Sequence, residues 1–159
     1  MTATERGRGL ALLLAAAAVC GLLAGCCSLG IKSCPATDQF TFVGDKSLNS
    51  CSGDEYSFPV AVRVYYLSQP GPFEAAEFQE LWENEDAALG ATRLGPALNV
   101  TVTPGGETEE VAKRPDGAAY LGIVANFCRL DGGAWRKVVP LGKDTRAVVR
   151  LKDVHLAAN

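Results

Sequence analysis

Residues 60–67, with the sequence VAVRVYYL, alternate two sets of side chains more regularly than any other stretch of the chain. The residues that share one side are Val60, Val62, Val64 and Tyr66. An alternation with a period of two predicts a β-strand, and the β-branched and aromatic residues in it favour the same structure. A Gln-Pro-Gly-Pro segment follows directly and interrupts the pattern. The chain is therefore expected to build a β-sheet around this segment.

Four other parts of the chain carry strand patterns. They are residues 39–43 (QFTFV), residues 98–102 (LNVTV), a hairpin formed by residues 118–130 and 134–141, and a final strand within residues 145–154. Turn sequences rich in Gly, Pro and Asp separate them, among them PGGET and RPDG. Several short strands divided by such turns are typical of an antiparallel β-sandwich, so the predicted fold class is all-β.

One segment has helical rather than strand spacing. Apolar residues recur three and four positions apart between Phe78 and Leu89, and Pro72 can begin a helix that Gly90 ends. Six acidic residues make this helix strongly negative: Glu74, Glu77, Glu80, Glu83, Glu85 and Asp86. A pair of catalytic carboxylates is one interpretation, but a general acid needs burial to raise its pKa. A solvated helix face is the favoured interpretation.

The first 25 residues have the layout of a secretory signal. Arg6 and Arg8 supply the charged start, and an apolar core over residues 10–19 is followed by small residues. The uncharged run over residues 9–31 is long enough to span a bilayer, but its many alanines and glycines would insert weakly. An uncleaved anchor helix is therefore the less favoured alternative.

The end of that signal resembles the lipobox of bacterial lipoproteins, since residues 23–26 read Leu-Ala-Gly-Cys. The resemblance implies that Cys26 becomes the acylated first residue of the mature chain. It also implies an outer-membrane location, because Cys27 stands where an aspartate would usually retain a lipoprotein in the inner membrane. An ordinary signal peptide with an incidental Cys26 is the alternative. The expected organisation is a signal peptide (1–25), a lipidated tether (26–38) and a folded domain (39–159).

Charge and length exclude some classes of function. The sequence holds 15 Lys+Arg and 18 Asp+Glu, and loss of Glu5, Arg6 and Arg8 with the signal leaves a mature net charge of −4. Nucleic acid is not expected as a partner of so acidic a chain. The remaining length suits one ordinary domain with a real core.

Four cysteines stay available after cleavage and lipidation: Cys27, Cys34, Cys51 and Cys128. An exported chain can form disulfides, but four cysteines allow three complete pairings that spacing alone does not separate. We favour a Cys34–Cys51 pair near the mature N-terminus, with Cys128 a small buried residue of its strand. A metal site is the alternative, but only His155 could supply an imidazole, and His155 is expected to be a surface residue. No metal or cofactor is expected.

The folded part resembles the TssJ family, the outer-membrane lipoproteins of type VI secretion systems. The segments that carry the resemblance are VAVRVYYL, then FEAAEFQELWENEDAALGATRL, then YLGIVANFCRLDGGAWRKVVPL. The resemblance implies a transthyretin-like β-sandwich with one helix inserted after the second strand. It also implies a non-enzymatic role, in which the protein tethers the periplasmic C-terminal part of TssM to the outer membrane and, through TssM, joins TssL.

The same resemblance places the TssM contact in the loop between the first two strands, here residues 44–59, called the 44–59 loop below. Its residues set apolar or aromatic anchors within a polar rim, as in a modest protein interface. The predicted contact residues are Leu48, Asn49, Asp54, Glu55 and Tyr56. Cys51 within this loop departs from the family pattern, and so do Cys34 and Cys128. A solvated loop held down by Cys51 is the alternative.

Two functions from other classes stay open at this point. A transthyretin-like module could carry a small apolar ligand, but it would need an apolar cavity, and the strands alternate as if they filled one ordinary core. A periplasmic enzyme would need a nucleophile with its base, and the single His155 has no evident partner in the sequence.

Overall fold

The structure, a computed structural model, describes residues 36–51, 56–130, 132, 134–143 and 145–159. The elements within these ranges are β1 (Thr37–Gly44), β2 (Val60–Leu67), α1 (Gly71–Ala75), α2 (Phe78–Glu83), α3 (Glu85–Leu89), a 3₁₀ turn (Gly90–Thr92), β3 (Leu98–Val102), β4 (Glu107–Lys113), β5 (Tyr120–Ala125), β6 (Arg136–Pro140), β7 (Arg146–Lys152) and β8 (His155–Ala158). The predicted signal peptide lies outside the described residues, as does most of the predicted tether. None of the described helices has the length and hydrophobicity that a membrane-spanning helix needs.

The strands form two four-stranded sheets, ordered β4-β1-β7-β8 and β3-β2-β5-β6. All neighbouring strands are antiparallel except β1 and β7, which run parallel with Phe42 opposite Val149. The predicted all-β sandwich is confirmed, and the long connection between β1 and β7 accounts for the parallel pair.

The core lies between the two sheets. Phe40 and Phe42 of β1 are buried, and so are Val62, Val64 and Tyr66 of β2. The rings of Phe40 and Tyr66 meet edge to face across the core, with 6.5 Å between their centres. The side of β2 that carries Val60, Val62, Val64 and Tyr66 therefore faces the core.

The opposite side of β2 is also covered, because the helices pack on it. Tyr65 and Leu67 are completely buried there beside Phe73 of α1. Gly122 of β5 lies opposite Tyr65, and a Cβ at this position would come within 2.7 Å of the Phe73 ring. The absence of a side chain at Gly122 thus lets the first helix approach the sheet.

The single helix predicted for residues 72–89 occurs in the right place but is divided into three short helices. Ala76 and Glu77 have extended backbones between α1 and α2, and Glu77 forms a capping box with Glu80 at the start of α2. Asn84 separates α2 from α3. The capping box explains two of the acidic residues, because their carboxylates accept hydrogen bonds from the orphan N–H groups at the helix start.

Glu85 joins the helices to the sheet. Its carboxylate accepts hydrogen bonds from the Tyr65 hydroxyl (2.8 Å), from Arg63 (3.1 Å) and from Arg93 (2.8 Å). Burial raises the pKa of Tyr65 to about 12, so this hydroxyl stays protonated as a donor at neutral pH. Glu85 is thus a half-buried residue that joins the helices to β2, and it does not belong to the solvated helix face that the sequence favoured.

A second polar network crosses the core between the sheets. Asp38 of β1 is completely buried, and it accepts hydrogen bonds from the Tyr66 hydroxyl (2.8 Å) and from Arg114 Nε (3.0 Å). A second guanidinium nitrogen of Arg114 also binds this carboxylate and the Thr145 hydroxyl (2.9 Å). Burial, followed by the nearby Asp38 carboxylate, raises the pKa of Tyr66. These contacts satisfy a charge that would otherwise be costly to bury.

Two strands were not predicted. β4 has the sequence ETEEVAK and β8 the sequence HLAA, and both lie at the edges of the first sheet. In β4 the charged residues discourage pairing with other chains, and they also remove the apolar alternation that reveals a strand. β8 has only four residues, which are too few to show an alternation. The predicted final strand over residues 145–154 corresponds to β7 and the turn before β8.

Candidate partner-binding loop

The 44–59 loop leaves β1 at a point where the backbone is tightly enclosed. The Gly44 N–H donates to the Gly106 carbonyl (2.9 Å), and the Asp45 N–H donates to the Leu151 carbonyl (2.8 Å). A Cβ at Gly44 would come within 2.3 Å of the Thr103 carbonyl oxygen, which explains glycine at this position. The base of the loop is therefore attached to the β3–β4 connection on one side and to β7 on the other.

The first residues of the loop form a turn. The Asp45 carboxylate accepts hydrogen bonds from the Ser47 N–H (3.0 Å) and the Ser47 hydroxyl (2.9 Å), and these bonds lower its pKa. Leu48 follows and is completely buried. The prediction that Leu48 is an exposed anchor for a partner is wrong, because the turn directs its side chain into the core of the protein itself.

Asn49 also has an internal role. Its side chain is 6% exposed, and its Oδ1 accepts the Cys128 N–H at 2.9 Å. Its backbone has φ 56, and its N–H donates to the Asp153 carbonyl at 2.6 Å. Asparagine tolerates this left-handed conformation better than most residues. Asn49 thus attaches the loop to two other connections and does not form the polar rim that the sequence suggested.

A disulfide joins Cys51 to Cys128, with 5.8 Å between their Cα atoms. The predicted Cys34–Cys51 pair is therefore wrong, and Cys34 lies outside the described residues. The physical reason is the register of the second sheet, in which Ala125 of β5 lies opposite Val62 near the start of β2. This pairing places residues that follow β5 next to the loop that precedes β2. Cys128 is accordingly an exposed half-cystine after β5 and not a buried strand residue.

Two aromatic side chains of the loop point to solvent. Tyr56 is 73% exposed and Phe58 is 52% exposed. Between them, the Ser57 hydroxyl donates to the Lys46 carbonyl at 2.7 Å, and the Phe58 N–H donates to the Leu48 carbonyl at 3.1 Å. These bonds fix the end of the loop with both rings outward. Exposed aromatic rings on a fixed backbone are typical of protein interfaces.

Of the predicted contact residues, only Tyr56 is therefore seen as an exposed anchor. Asp54 and Glu55 lie outside the described residues. Phe58 was missed, although its alternation with Tyr56 was visible in the sequence. The residue before a proline prefers extended backbone, so Pro59 was the signal that could have indicated an extended Phe58 with its ring on the same side as that of Tyr56.

The described residues offer little support for the metal site and the small-ligand carrier that the sequence left open. His155 is exposed on β8, in agreement with a surface histidine, and the described ranges bring together no group of three metal-binding side chains. An open cleft of about 360 Å³ is lined largely by charged or polar side chains, including Arg63 and Arg93. The Trp82 ring in this cleft packs between two side chains. The Arg63 guanidinium carbon lies 4.1 Å from the centre of the ring, and the centre of the Phe78 ring lies 5.5 Å from it. The cleft does not offer the apolar cavity that a carrier of small hydrophobic ligands needs.

Solved structures share this fold. The Serratia marcescens protein Lip, described as a membrane-bound component of the type VI secretion system, is 23% identical, with a TM-score of 0.71 over 79% of this chain and 97% of the other. A chain of a type VI membrane complex is 23% identical, with a TM-score of 0.70 over 79% and 99% of the two chains. A chain from a structure of the TssM C-terminal domain from EAEC is 22% identical, with a TM-score of 0.65 over 77% and 97%.

The sequence itself matches a family model. No curated sequence matches the chain. The family model described as "Type VI secretion lipoprotein, VasD, EvfM, TssJ" matches residues 36–157, which is nearly all of the sandwich. The chain therefore belongs to the family of type VI secretion lipoproteins that includes TssJ.

Proposed function

We propose that this protein is an outer-membrane lipoprotein that tethers the periplasmic C-terminal domain of TssM and, through TssM, joins TssL in the trans-envelope complex. Membership of the type VI secretion lipoprotein family supports a role in assembly rather than in catalysis. The fold is shared with a chain of a type VI membrane complex and with a chain from a structure of the TssM C-terminal domain. Cys26, which lies outside the described residues, would carry the lipid that holds the protein at the periplasmic face of the outer membrane.

The observation that carries the TssM proposal is the pair Tyr56 and Phe58. Both rings are exposed, yet the backbone between them is fixed by hydrogen bonds to Lys46 and Leu48. A rigid aromatic anchor loses little conformational freedom when it enters a pocket of a partner, so it contributes strongly to affinity. The loop therefore offers a preformed binding surface at one end of the sandwich.

We expect Tyr56→Ala and Phe58→Ala each to weaken binding of the purified TssM periplasmic domain about tenfold or more, which corresponds to about 1.4 kcal/mol. The melting temperature should stay nearly unchanged, because neither ring is part of the core. Isothermal titration calorimetry measures the affinity. Val111→Ala is the matched control, since Val111 is 65% exposed on β4 and does not belong to the loop. Unchanged affinity in the Tyr56→Ala/Phe58→Ala double variant would place the interface elsewhere.

The anchoring proposal predicts a mature chain that begins at Cys26 and carries acyl groups. Two or more acyl chains hold a protein stably at a membrane, whereas one does not. Cys26→Ser should leave an unacylated precursor or a soluble periplasmic form, while Cys27→Ser, the control, should stay acylated and membrane-bound. Intact-mass measurement of membrane-extracted protein tests this directly. A full-length chain without acyl mass would contradict the proposal.

A further inference from the structure

The first sheet has one face in the core and one face directed away from it. Phe40 and Phe42 of β1 point into the core, so Gln39, Thr41 and Val43 point to the opposite side. The described helices pack on the second sheet, and Gln39 is exposed, so this side of the first sheet is open to solvent. We call it the outer face, and we propose that it binds a second copy of the chain.

Opposite charges flank β1 on the outer face. Exposed glutamates of β4 lie on one side of β1, and exposed arginines of β7 lie on the other side: Glu107, Glu109, Arg146 and Arg150. Within the described ranges, none of these four side chains forms an ion pair. The outer face therefore has an acidic side and a basic side, and the two sides do not neutralise each other within one copy.

The strand register brings one acidic and one basic residue to the same height. Glu107 of β4 and Arg150 of β7 both lie directly opposite Val43 of β1. A two-fold axis that is parallel to the strands and passes over β1 lays the β7 strand of the second copy on β4 of the first. Each Glu107 then meets the Arg150 of the other copy, and symmetry makes this contact twice. A two-fold axis across the strands would instead stack β4 on β4 and place glutamate on glutamate.

The other side chains of the outer face are compatible with this packing. Thr41 and Val43 are short side chains next to the axis, so two sheets can approach to their usual separation of about 10 Å. Glu109 lies one row away from the Arg146 of the second copy, but Lys113 at the end of β4 lies equally close to that arginine on its other side. These two contributions offset each other. The two Glu107–Arg150 contacts therefore carry the charge complementarity.

The outer face is small for a protein interface. Four strands about 4.8 Å apart, with about 3.3 Å for each of the seven residues of β4, give a footprint of about 440 Å² per copy. A dimer would then bury on the order of 900 Å² in total, which is at the low end of specific interfaces. We therefore expect weak association, with a mainly monomeric chain in dilute solution.

Membrane anchoring at Cys26 would favour this dimer. Because the axis is parallel to the strands, both β1 strands begin at the same end of the dimer. Two chains anchored in one membrane can therefore pair without either being inverted, and anchoring raises their effective concentration. The 44–59 loop lies at the other end of β1 and is not part of the outer face. The inference thus does not depend on a contact between that loop and TssM.

Cross-linking tests the position of the axis. Thr41→Cys places a thiol of each copy opposite that of the other, within reach of a short bismaleimide, and Val43→Cys on the same strand provides a second position. Gln79→Cys is the matched control, since Gln79 is exposed on α2 at the opposite side of the sandwich. The wild-type chain, with its own cysteines, gives the background. We expect the full chain, purified from cells that produce it, to form cross-linked dimers with both β1 cysteines and not with the control. The initial rate of cross-linking should rise with protein concentration.

Charge reversal tests whether the second copy itself supplies the complementary charges. In the Thr41→Cys protein, Glu107→Arg and Arg150→Glu should each slow cross-linking about tenfold, because each change turns two attractive contacts into two repulsive ones. A mixture of the two variants should regain the original rate. In the mixed dimer one contact is the reversed pair and the other is the natural pair, so both are attractive. Labelling one variant with ¹⁵N identifies the mixed dimer by its mass.

Each other result would overturn the inference in a recognisable way. If both β1 cysteines cross-link no more than Gln79→Cys, the outer face is an ordinary solvated side of a sheet. If the reversed variants cross-link at the original rate, or the mixture does not recover, the copies do not pair about this axis. If the reversed variants instead lose affinity for the purified TssM periplasmic domain while no dimer forms, the outer face binds TssM. The affinities of the loop variants are measured separately, so the proposed function can fail or stand independently of the dimer.

Discussion

Replacing Arg114 by alanine is expected to lower the free energy of unfolding by about 3 to 5 kcal/mol, because the change leaves a buried carboxylate without its countercharge. Asp38 has no exposed surface, and Arg114 binds both of its oxygens. The Tyr66 hydroxyl would stay as a donor to Asp38, but a neutral hydroxyl cannot balance a full negative charge. Urea denaturation at pH 7 measures the change.

Two further variants separate charge from packing in that experiment. Arg150→Ala removes an arginine that is exposed on β7 and should change the free energy of unfolding by no more than about 0.5 kcal/mol. Asp38→Asn/Arg114→Ala removes the uncompensated charge together with the arginine and should recover part of the loss. A loss below about 1 kcal/mol for Arg114→Ala would show that this ion pair does little for stability.

Replacing Leu48 by alanine is expected to lower the free energy of unfolding by about 2 to 5 kcal/mol, as for other fully buried leucines. The Leu48 side chain is 0% exposed and lies near Gly44 at the base of the loop. Thermal and urea denaturation measure this loss. Tyr56→Ala is the control in the same loop, and its melting temperature should match that of the wild type.

For Leu48 this outcome would differ from the sequence-based prediction of a partner contact, whereas for Tyr56 it would agree with that prediction. If Leu48→Ala instead bound the TssM domain more weakly at full stability, the leucine would have to be exposed in solution. The comparison of Leu48 with Tyr56 therefore tests the structure of the loop residue by residue.

Six of the eight described strands were predictable, including β3 and β6 at the edges of the second sheet, whereas β4 and β8 at the edges of the first sheet were not. β2 and β5 contain mostly apolar or aromatic residues, because the sandwich core covers one of their faces and the helices cover the other. β4 carries Glu107, Glu109 and Glu110, and its pairing with β1 is made by backbone groups that any sequence provides. A local sequence pattern therefore reveals strands that bury apolar side chains. It misses a strand such as β4, which is defined only by its backbone pairing.

The candidate site was likewise predictable only in part. The sequence indicated the loop as a whole, because its length and polarity exceed those of a simple hairpin connection. It did not show which residues of the loop face inward. Leu48 and Tyr56 both looked like anchors, but the turn at Asp45 buries the first and the bonds around Ser57 expose the second.

From the sequence by itself follow the all-β class, the position of the helical insertion after the second strand, and the family, because each depends on local patterns or on motifs along the chain. The tertiary structure alone decides that Cys51 pairs with Cys128, that Asn49 holds the loop and that Asp38 meets Arg114. These contacts join residues 76 to 79 positions apart. Such neighbours are brought together by the register and order of the strands, which no short stretch of sequence specifies.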